Sequence, residues 1–466
     1  APHGAPKIRD SDDAKQTKAC VDALFDAIQP DYLMILGAPD VVCHQPLDNP
    51  IFDDDDPDVP SDLPYACAAS FSTDIADFVG PTRVVGRLPD VVGESDPAAL
   101  LSALDTAIAW KRRSRNSYNS CCGISTDSWK GSTRKSTKKI FGSTKVKFIS
   151  PPSGAPWSKT ELGPRIHFIN CHGLDFDTSF YGDDGAGAQP PAIDQADYVG
   201  RLREGTLMAA ECCFGAMLYA APLFSIQPGI CNTAMVNGVY GFLGSTNVAY
   251  GPANSTGYAD LVCSHFIINV RNGASIGRAL LEARQTYASG EAPLDPVDLK
   301  TLAQFYLLGD PSIHPVKMPG KVKKKMVARK SVATTVARRR FLSRKGLRIG
   351  RSIAHVQARP DRVGDGEVTA SLVARLPSGY LSQVGKTLSF DIRAAKQPAL
   401  AKSKSALKKA QGGGRYYLVG AVDERTKRPP PRVQAKSAQR RPGPDLLMLA
   451  LEVDSKIEYV KTLYRR

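Results

Sequence analysis

Two stretches of this sequence place a reactive side chain directly after a short apolar run. The first reads Ile166-His-Phe-Ile-Asn-Cys-His172-Gly173, and the second reads Leu207-Met-Ala-Ala-Glu-Cys-Cys213-Phe-Gly215. An imidazole and a thiol are the minimal equipment for nucleophilic acyl transfer, because the thiol attacks while the imidazole moves the proton. His172 and Cys213 are therefore the candidate catalytic pair.

The thiol of a cysteine must lose its proton before it attacks a carbonyl group. A free cysteine has a pKa of roughly 8.5, so it needs a neighbouring base at neutral pH. His172 can take that proton and later give it to the leaving amine. The negative oxygen that develops on the substrate needs preorganised N–H donors, and Gly173 lets a carbonyl group approach the backbone closely.

Each of these residues also has an ordinary structural explanation. A histidine after an apolar strand is often only a hydrogen-bonded strand end, and cysteines are commonly buried as small apolar residues. A zinc site is a weaker alternative, with the candidate ligands Cys171, His172, Cys212 and Cys213. Adjacent ligands on two strands lack the usual Cys-x2-Cys spacing, so no metal site is predicted.

Buried parallel strands would explain both apolar runs, because the carboxyl ends of such strands deliver side chains to one edge of a sheet. Between the two stretches, apolar residues recur at a spacing of three: Ile193, Ala196, Val199 and Leu202. This spacing, which stops before Gly205, predicts a crossover helix with a glycine C-cap. A strand, a helix and a second parallel strand would bring His172 and Cys213 to the same edge.

The charge of the chain changes sign between its front and its back. Residues 317–466 carry 36 Lys+Arg against 10 Asp+Glu, which leaves 25 basic and 36 acidic residues in residues 1–316. An acidic front and a basic back predict separate domains that attract one another. The basic part is also a candidate surface for a regulatory protein or a nucleic acid, with a solvated basic face as the plain alternative.

At 466 residues the chain is too long for a single core, and its composition divides it into four parts. Residues 1–113 are predicted to form an N-terminal α/β unit, and residues 114–316 a second α/β unit that contains both reactive stretches. Residues 317–348 form a basic linker. Residues 349–466 hold alternating β-rich runs at 367–376, 388–394, 415–422 and 446–453 between turn signals, which predicts a basic β-sandwich. No run of eighteen apolar residues is present, so no membrane span is predicted.

The ten cysteines are irregularly spaced and include adjacent pairs at 121–122 and 212–213. A secreted disulfide framework is therefore not predicted, and reduced thiols in a cytoplasmic setting are favoured. Secretion stays open as the alternative, because the chain begins at Ala1 without a methionine.

The loop at residues 44–61 contains a run of carboxylates, Asp53 to Asp56, followed by Asp58. Clustered carboxylates are candidate ligands for calcium, but the spacing of an EF-hand is absent. A solvated acidic loop is the preferred interpretation. Calcium is kept as an option, and the predicted chemistry requires no cofactor.

The ordered set of motifs resembles the caspase-like cysteine peptidases, and most closely the gingipain family. His172-Gly173 after one strand and Glu211-Cys-Cys-x-Gly215 after the next look like the catalytic signature of these enzymes. The resemblance covers about residues 30–316 and includes Tyr32-Leu-Met-Ile-Leu-Gly37, Ser61-Asp-Leu-Pro-Tyr65, Val85-Gly-Arg-Leu-Pro89, Gly244-Ser-Thr246 and Leu308-Gly-Asp-Pro-Ser312. It implies a three-layer α/β/α fold with a mostly parallel sheet in two subdomains, the second bearing the dyad, followed by an immunoglobulin-like β domain.

The resemblance also implies roles for individual residues. His172 matches the catalytic histidine, and Cys213 rather than Cys212 matches the nucleophile, because Cys-x-Gly continues correctly from it. The N–H groups of Gly173 and Cys213 would serve as oxyanion donors. Asp127 lies near the position of an acid that orients the histidine; binding of a substrate Arg or Lys and a helix N-cap are the alternatives. The loop flanking the bound peptide would contain Ser245, Thr246 and Tyr250.

Three functions follow from these observations. The leading hypothesis is a cysteine endopeptidase that cleaves protein substrates through a thioester acyl-enzyme on Cys213. The first alternative is a catalytically silent caspase-like scaffold that binds a protein or nucleic-acid partner through its basic C-terminal domain. The second is a nucleic-acid-binding module with a vestigial α/β front, whose binding would depend steeply on salt.

Overall fold

A computed structural model describes residues 2–318 except for 52–53, 55, 143–146, 150–156, 184–188 and 290–293. Beyond residue 318 it describes the backbone of five strands, at 361–362, 388–396, 415–423, 446–453 and 456–465. The predicted linker 317–348 and the predicted strand at 367–376 therefore lie outside the described residues, apart from the first two positions of the linker.

The helices of the described residues are α1 (Ala14–Ile28), α2 (Ala98–Ile108), α3 (Lys130–Phe141), α4 (Gln195–Tyr198), α5 (Ala221–Phe224), α6 (Ile230–Val236), α7 (Ala259–Arg271), α8 (Ile276–Ala288) and α9 (Pro296–Gln304). Side chains cap several of them. Asp13 accepts a hydrogen bond from the N–H of Gln16 at the start of α1, and Ser275 accepts one from Arg278 at the start of α8. Such caps fix where a helix begins, because they satisfy its first free N–H groups.

The strands before residue 200 are β1 (Leu33–Leu36), β2 (Gln45–Asp48), β3 (Asp58–Ser61), β4 (Val85–Leu88), β5 (Arg113–Ser114), β6 (Cys121–Ser125), β7 (Lys147–Ile149), β8 (Ile166–Asn170), β9 (His172–Gly173), β10 (Ser179–Tyr181) and β11 (Pro191–Asp194). Those after it are β12 (Thr206–Ala210), β13 (Val239–Ser245), β14 (Tyr250–Gly251), β15 (Phe305–Leu308), β16 (Val316–Lys317), β17 (Asp361–Arg362), β18 (Leu388–Lys396), β19 (Arg415–Asp423), β20 (Leu446–Val453) and β21 (Lys456–Arg465).

Eight strands form the central sheet, in the order β1-β4-β15-β13-β12-β8-β6-β7. Every neighbouring pair is parallel except β13 with β15. The sheet is therefore mostly parallel, as predicted. Strands β1 and β4 of the N-terminal part join it through β15, where Leu308 is the register partner of Arg87.

Alternate residues of the central strands pack against helices on opposite faces of the sheet. On one face Phe168, Leu207 and Leu243 share a core with α7 and α8, through residues such as Phe266 and Leu280. On the other face lies a core of Ile169, Met208 and Phe242 with Ala103 of α2 and Ala234 of α6. Helices on both faces explain why the strands read as continuous apolar runs rather than alternating ones.

The predicted crossover helix at residues 193–202 is wrong. Strand β11 covers Pro191–Asp194 and pairs with β10, which in turn pairs with β9, so a three-stranded sheet takes up most of this connection. Only one helical turn follows, α4, capped by Asp194. Val199 is already extended and Gly200 adopts a φ of 66°, so the turn ends before the helix can propagate.

The C-terminal strands form an antiparallel sheet in the order β14-β21-β20-β19-β18-β17. Strands β18, β19 and β20 confirm the predicted β-rich runs, and β21 is an additional strand. Strand β14 lies in the α/β part of the chain, and Tyr250 is the register partner of Arg465. A second sheet that would complete an immunoglobulin-like sandwich is not among the described strands, so that domain stays a prediction.

Within the described ranges, no helix combines the length and the apolar character that a membrane crossing requires. The longest, α1, has 15 residues.

Candidate active site

The two reactive stretches follow neighbouring parallel strands of the central sheet. Strands β8 and β12 are in register from Leu207 opposite Ile166 to Ala210 opposite Ile169. One further hydrogen bond, from the N–H of Glu211 to the carbonyl oxygen of Ile169 at 2.8 Å, extends the pairing beyond β12. The residues that follow, His172 and Cys213, therefore emerge at the same edge of the sheet, as predicted.

Gly173 lies directly against the backbone of Cys213. A Cβ atom on Gly173 would be 1.9 Å from the carbonyl oxygen of Cys213 and 3.3 Å from the Cβ of Cys212. Only a glycine fits at this position, because real Cβ atoms do not approach other heavy atoms so closely. The backbone of Gly173 in β9 therefore contacts the backbone of Cys213, the predicted nucleophile.

The thiol of Cys213 is buried and contacts the main chain of Ala249. The Ala249 N–H donates to Sγ at 3.3 Å, and the thiol lies 3.5 Å from the Ala249 carbonyl oxygen as its acceptor. The first contact favours a thiolate, because an N–H donor stabilises the charged form, whereas the second requires the proton to be on sulfur. Loss of the thiol proton would therefore strengthen the hydrogen bond from the Ala249 N–H and remove the one to the Ala249 carbonyl oxygen.

The residue after Cys213 has a strained backbone. Phe214 adopts a φ of 52°, which is rare for a bulky side chain, and its N–H donates to the Asn247 carbonyl oxygen at 3.0 Å. Such conformations typically cost about 1–3 kcal/mol and cluster at functional sites. The turn is closed by a hydrogen bond from the Gly215 N–H to the Cys212 carbonyl oxygen at 3.2 Å.

The residues predicted to flank a bound peptide are all buried. Ser245 supports the cysteine turn: its Oγ lies 2.7 Å from the carbonyl oxygen of Cys212. Thr246 is the next residue, and its N–H donates to the carbonyl oxygen of Gln304. Tyr250 lies in β14, one residue beyond Ala249. The structure thus places Ser245 against the cysteine turn, and the role of the three residues in holding substrate stays a prediction.

Trp129 packs edge-on against the His172 ring, with ring centroids 4.5 Å apart and an interplanar angle of 63°. Its indole is buried at the start of α3. Asn170, two residues before His172, ties this helix to β8, because its side-chain amide donates to Thr133 Oγ1 at 3.0 Å. Trp129 therefore limits where the imidazole can lie, and sequence reasoning did not identify it.

Asp127 lies at the loop between β6 and α3. Its side chain is 63% exposed and forms an ion pair with Lys130 at 3.1 Å. The residue that precedes α3 as its N-cap is Trp129, without a side-chain hydrogen bond, so the N-cap alternative for Asp127 is wrong. Its predicted roles, in orienting the histidine or in recognising a basic substrate residue, stay predictions.

The other cysteines of these strands are poor nucleophiles. Burial raises the pKa of the Cys212 thiol well above its usual value, and it does the same for the Cys171 thiol. A thiol that stays protonated neither attacks a carbonyl group nor binds a metal. Among the described residues no cluster of His, Cys, Asp and Glu is arranged to hold a metal ion.

A small cavity lies between the loops that follow His172 and Cys213. Its apolar lining includes Leu174, Phe176, Phe214, Met217, Tyr219 and Ile230. Asp177 also lines it, but the carboxylate accepts hydrogen bonds from the N–H groups of Thr178 and Ser179 and from the Tyr181 hydroxyl. The cavity is therefore lined by both apolar and polar groups.

The prediction of a solvated acidic loop at residues 44–61 is wrong for Asp54 and Asp56. Asp54 is buried, the side chain of Asp56 is 6% exposed, and both carboxylates contact the ammonium group of Lys300, which lies on α9. Asp53 and Asp55 lie outside the described residues. Two of the carboxylates considered as calcium ligands, Asp54 and Asp56, are thus paired with a cation of the chain itself.

No protein-family model matches the sequence, and no curated protein matches it. Solved structures do match. One is described as a protease, at 12% identity and a TM-score of 0.44, over 98% of this chain and 90% of that chain. The second is the Arg-specific cysteine proteinase gingipain R (RgpB), at 11% identity and a TM-score of 0.46, over 96% of this chain and 87% of that chain.

A third match is the complex of the pro- and mature domains of RgpB from Porphyromonas gingivalis. Identity is 10% and the TM-score is 0.45, over 96% of this chain and 89% of that chain. All three matches have TM-scores below 0.5. At this identity the functional argument rests on the chain's own residues.

Proposed function

We propose that this protein is a cysteine endopeptidase that cleaves protein or peptide substrates through a His172–Cys213 dyad. The observation that carries the proposal is the contact between the Gly173 position and the Cys213 backbone, at the edge where β8 and β12 end. A histidine, a glycine and a cysteine brought together in this way are the groups that acyl transfer requires.

In this mechanism the thiol proton passes from its contact with the Ala249 carbonyl oxygen to the imidazole of His172. The Cys213 thiolate attacks the peptide carbonyl, and a C–S bond forms while the carbonyl oxygen takes the electron pair. The N–H groups of Gly173 and Cys213 stabilise that oxygen. His172 then protonates the leaving amine, the C–N bond breaks, and water hydrolyses the thioester. These steps need no cofactor, and calcium remains an option for stability or activation.

The substrate preference has two candidate origins. Asp127 is a carboxylate near the dyad strand ends and would favour Arg or Lys beside the cleaved bond. The cavity lined by Phe176 and Met217 would favour an apolar residue. A peptide library with mass-spectrometric readout separates them, because Asp127→Asn lowers cleavage after basic residues only in the first case.

The experiment that tests the proposal measures peptide-library cleavage and iodoacetamide labelling on the full chain. Cys213→Ala is expected to abolish both cleavage and the fast labelling, and His172→Ala to slow both. Cys212→Ala is the matched control, and it is expected to keep both because burial raises the pKa of the Cys212 thiol well above its usual value. Cleavage that persists in Cys213→Ala, or labelling that ignores Cys213, would overturn the proposal.

The alternative, a catalytically silent scaffold that binds a protein or nucleic acid through its basic C-terminal region, is not favoured by the described residues. The side chains of that region lie outside the described residues. This alternative expects the Cys213→Ala chain to retain its biological activity, so the same variant separates the two.

A further inference from the structure

The acidic segment of the N-terminal part contacts the segment that covers the Cys213 thiol. The N–H of Val248 donates to Asp56 Oδ2 at 2.9 Å. The side-chain amide of Asn247 donates to the main-chain oxygen of Asp58, also at 2.9 Å. Two successive residues of the covering segment are thus held by the same acidic segment, nearly two hundred positions earlier in the sequence.

Lys300 contacts the same carboxylate oxygen of Asp56 that accepts the hydrogen bond from Val248. Its ammonium group lies 2.6 Å from Asp56 Oδ2 and also contacts Asp54 Oδ2. The side-chain amide of Asn49 donates to Asp54 Oδ1 at 2.8 Å and to the main-chain oxygen of Asp56 at 2.9 Å. All of these groups are buried or nearly so, so the ion pairs are poorly screened and hold Asp56 in one place.

The hydrogen bond to Asp56 and the contact with the thiol are made by two successive peptide units, joined at the Cα atom of Val248. The Val248 N–H is held by Asp56, and the following residue, Ala249, donates its own N–H to Cys213 Sγ at 3.3 Å. Each peptide unit is planar, so only the φ and ψ angles of Val248 separate the held unit from the one that contacts the thiol. A buried carboxylate makes a stronger acceptor for the Val248 N–H than a neutral group would.

We propose that Asp56, held by Lys300, is a positioning residue that fixes Val248 and thereby aims the Ala249 N–H at the thiolate of Cys213. The proposal rests on the proposed role of Cys213 as the nucleophile. Its consequence is that a carboxylate of the N-terminal part controls the reactivity of a thiol on the central sheet, although it never touches the thiol.

Other charged groups lie near Asp56 and near the Cys213 thiol. Asp54, Asp58 and Lys300 lie around Asp56, and burial raises the pKa of Asp54 to about 6, with Lys300 opposing the rise. His172 and Glu211 lie on the strand ends that carry the thiol. A change in charge at Asp56 therefore has to be separated from a loss of its hydrogen bond.

The test is the rate of iodoacetamide alkylation at Cys213 between pH 5 and pH 9, read by peptide mapping on the full chain. Asp56→Ala is expected to raise the midpoint of this profile by about one pH unit, because the thiolate loses an aimed N–H donor. Asp56→Asn keeps an acceptor for Val248 and is expected to raise it by about half as much. Asp58→Asn is the matched control, since it removes a nearby charge while its main-chain contact to Asn247 remains.

An unchanged midpoint in a folded Asp56→Ala chain overturns the proposal, and so does a shift of equal size in Asp58→Asn. If circular dichroism shows that Asp56→Ala does not fold, the Asp56→Asn profile decides, and an unchanged midpoint overturns the proposal. Alkylation needs no substrate. The positioning role can therefore fail while peptide cleavage persists, and it can hold in a chain that cleaves no peptide.

Discussion

Gly173 lies so close to Cys213 that a Cβ atom would be 1.9 Å from the Cys213 carbonyl oxygen. Gly173→Ala must therefore displace either the His172 turn or the Cys213 peptide. Displacements of about 1 Å at a reacting centre typically reduce rates about 100-fold. We expect peptide cleavage and Cys213 alkylation to fall by at least that factor, as measured on the purified full chain.

Gly257→Ala serves as the control for Gly173→Ala. Its nearest neighbours would be the Cγ and Cδ atoms of Pro252, at 3.3 Å and 3.4 Å, which can shift slightly. The control is expected to retain nearly full activity. An unchanged kcat in Gly173→Ala would show that activity does not depend on the close contact between the backbones of Gly173 and Cys213.

Trp129 provides a second prediction, because its ring edge limits the position of His172. An aromatic pair of this kind contributes roughly 0.5–1.5 kcal/mol beyond its buried area. Trp129→Leu is expected to lower kcat by up to about tenfold, whereas Trp129→Phe should retain most of it. Steady-state kinetics and melting temperatures of both variants check this. Equal kcat losses in the two would point to a general packing role.

The buried His167 is expected to make the stability of the folded chain depend on pH. It is fully buried in β8, and burial lowers its pKa from 6.5 to about 4, against hydrogen bonds to the carbonyl oxygens of Leu162 and Pro164. The unfolded chain binds a proton at higher pH than the folded one does, so stability falls as the pH drops from 6.5 towards 4. This residue alone should reduce the free energy of unfolding by about 2 kcal/mol between pH 7 and pH 5.

Urea unfolding of the wild type and of His167→Gln at both pH values measures this contribution. The variant lacks the titrating ring, so its loss of stability on acidification should be smaller by the same amount. Identical losses in the two chains would contradict the assignment to His167.

Lys300 gives a fourth prediction. Lys300→Met leaves Asp54 and Asp56 buried without their cation, which typically costs about 3–5 kcal/mol. This loss in the free energy of unfolding should be smaller at pH 5 than at pH 7.5, because Asp54, with a pKa of about 6, is largely protonated at the lower pH. Urea unfolding at both pH values tests it, and a deficit independent of pH would argue against a charge effect. Lys300→Met with Asp54→Asn should recover part of the loss.

The sequence predicts the edge that carries His172 and Cys213, because short apolar runs before reactive residues are a local signal of buried parallel strands. It does not predict the connection between them. Ile193 and Val199 have helical spacing. In the structure, however, Ile193 lies in β11, which pairs with β10, and Val199 has an extended backbone. Tertiary pairing overrides spacing in such a short segment.

The residues that support the thiol have no local signature. Lys300 lies 246 positions after Asp54, so composition alone describes the acidic segment as solvated. Ala249 acts through its main chain, which any residue type would supply, and Trp129 looks like an ordinary buried aromatic residue. Each of these contacts depends on which distant segments meet, and a single sequence does not encode that in a readable pattern.

The pairing of β14 with β21 affects when the surroundings of the Cys213 thiol form during protein synthesis. Tyr250 and Gly251, directly after Ala249, pair with β21, which the ribosome synthesises about 200 residues later. A contact of such long sequence separation forms late in folding, because the closure of the intervening chain opposes it. During synthesis the segment over the Cys213 thiol therefore lacks its strand partner until β21 has emerged, so the thiol would acquire its final surroundings only after β21 has been synthesised.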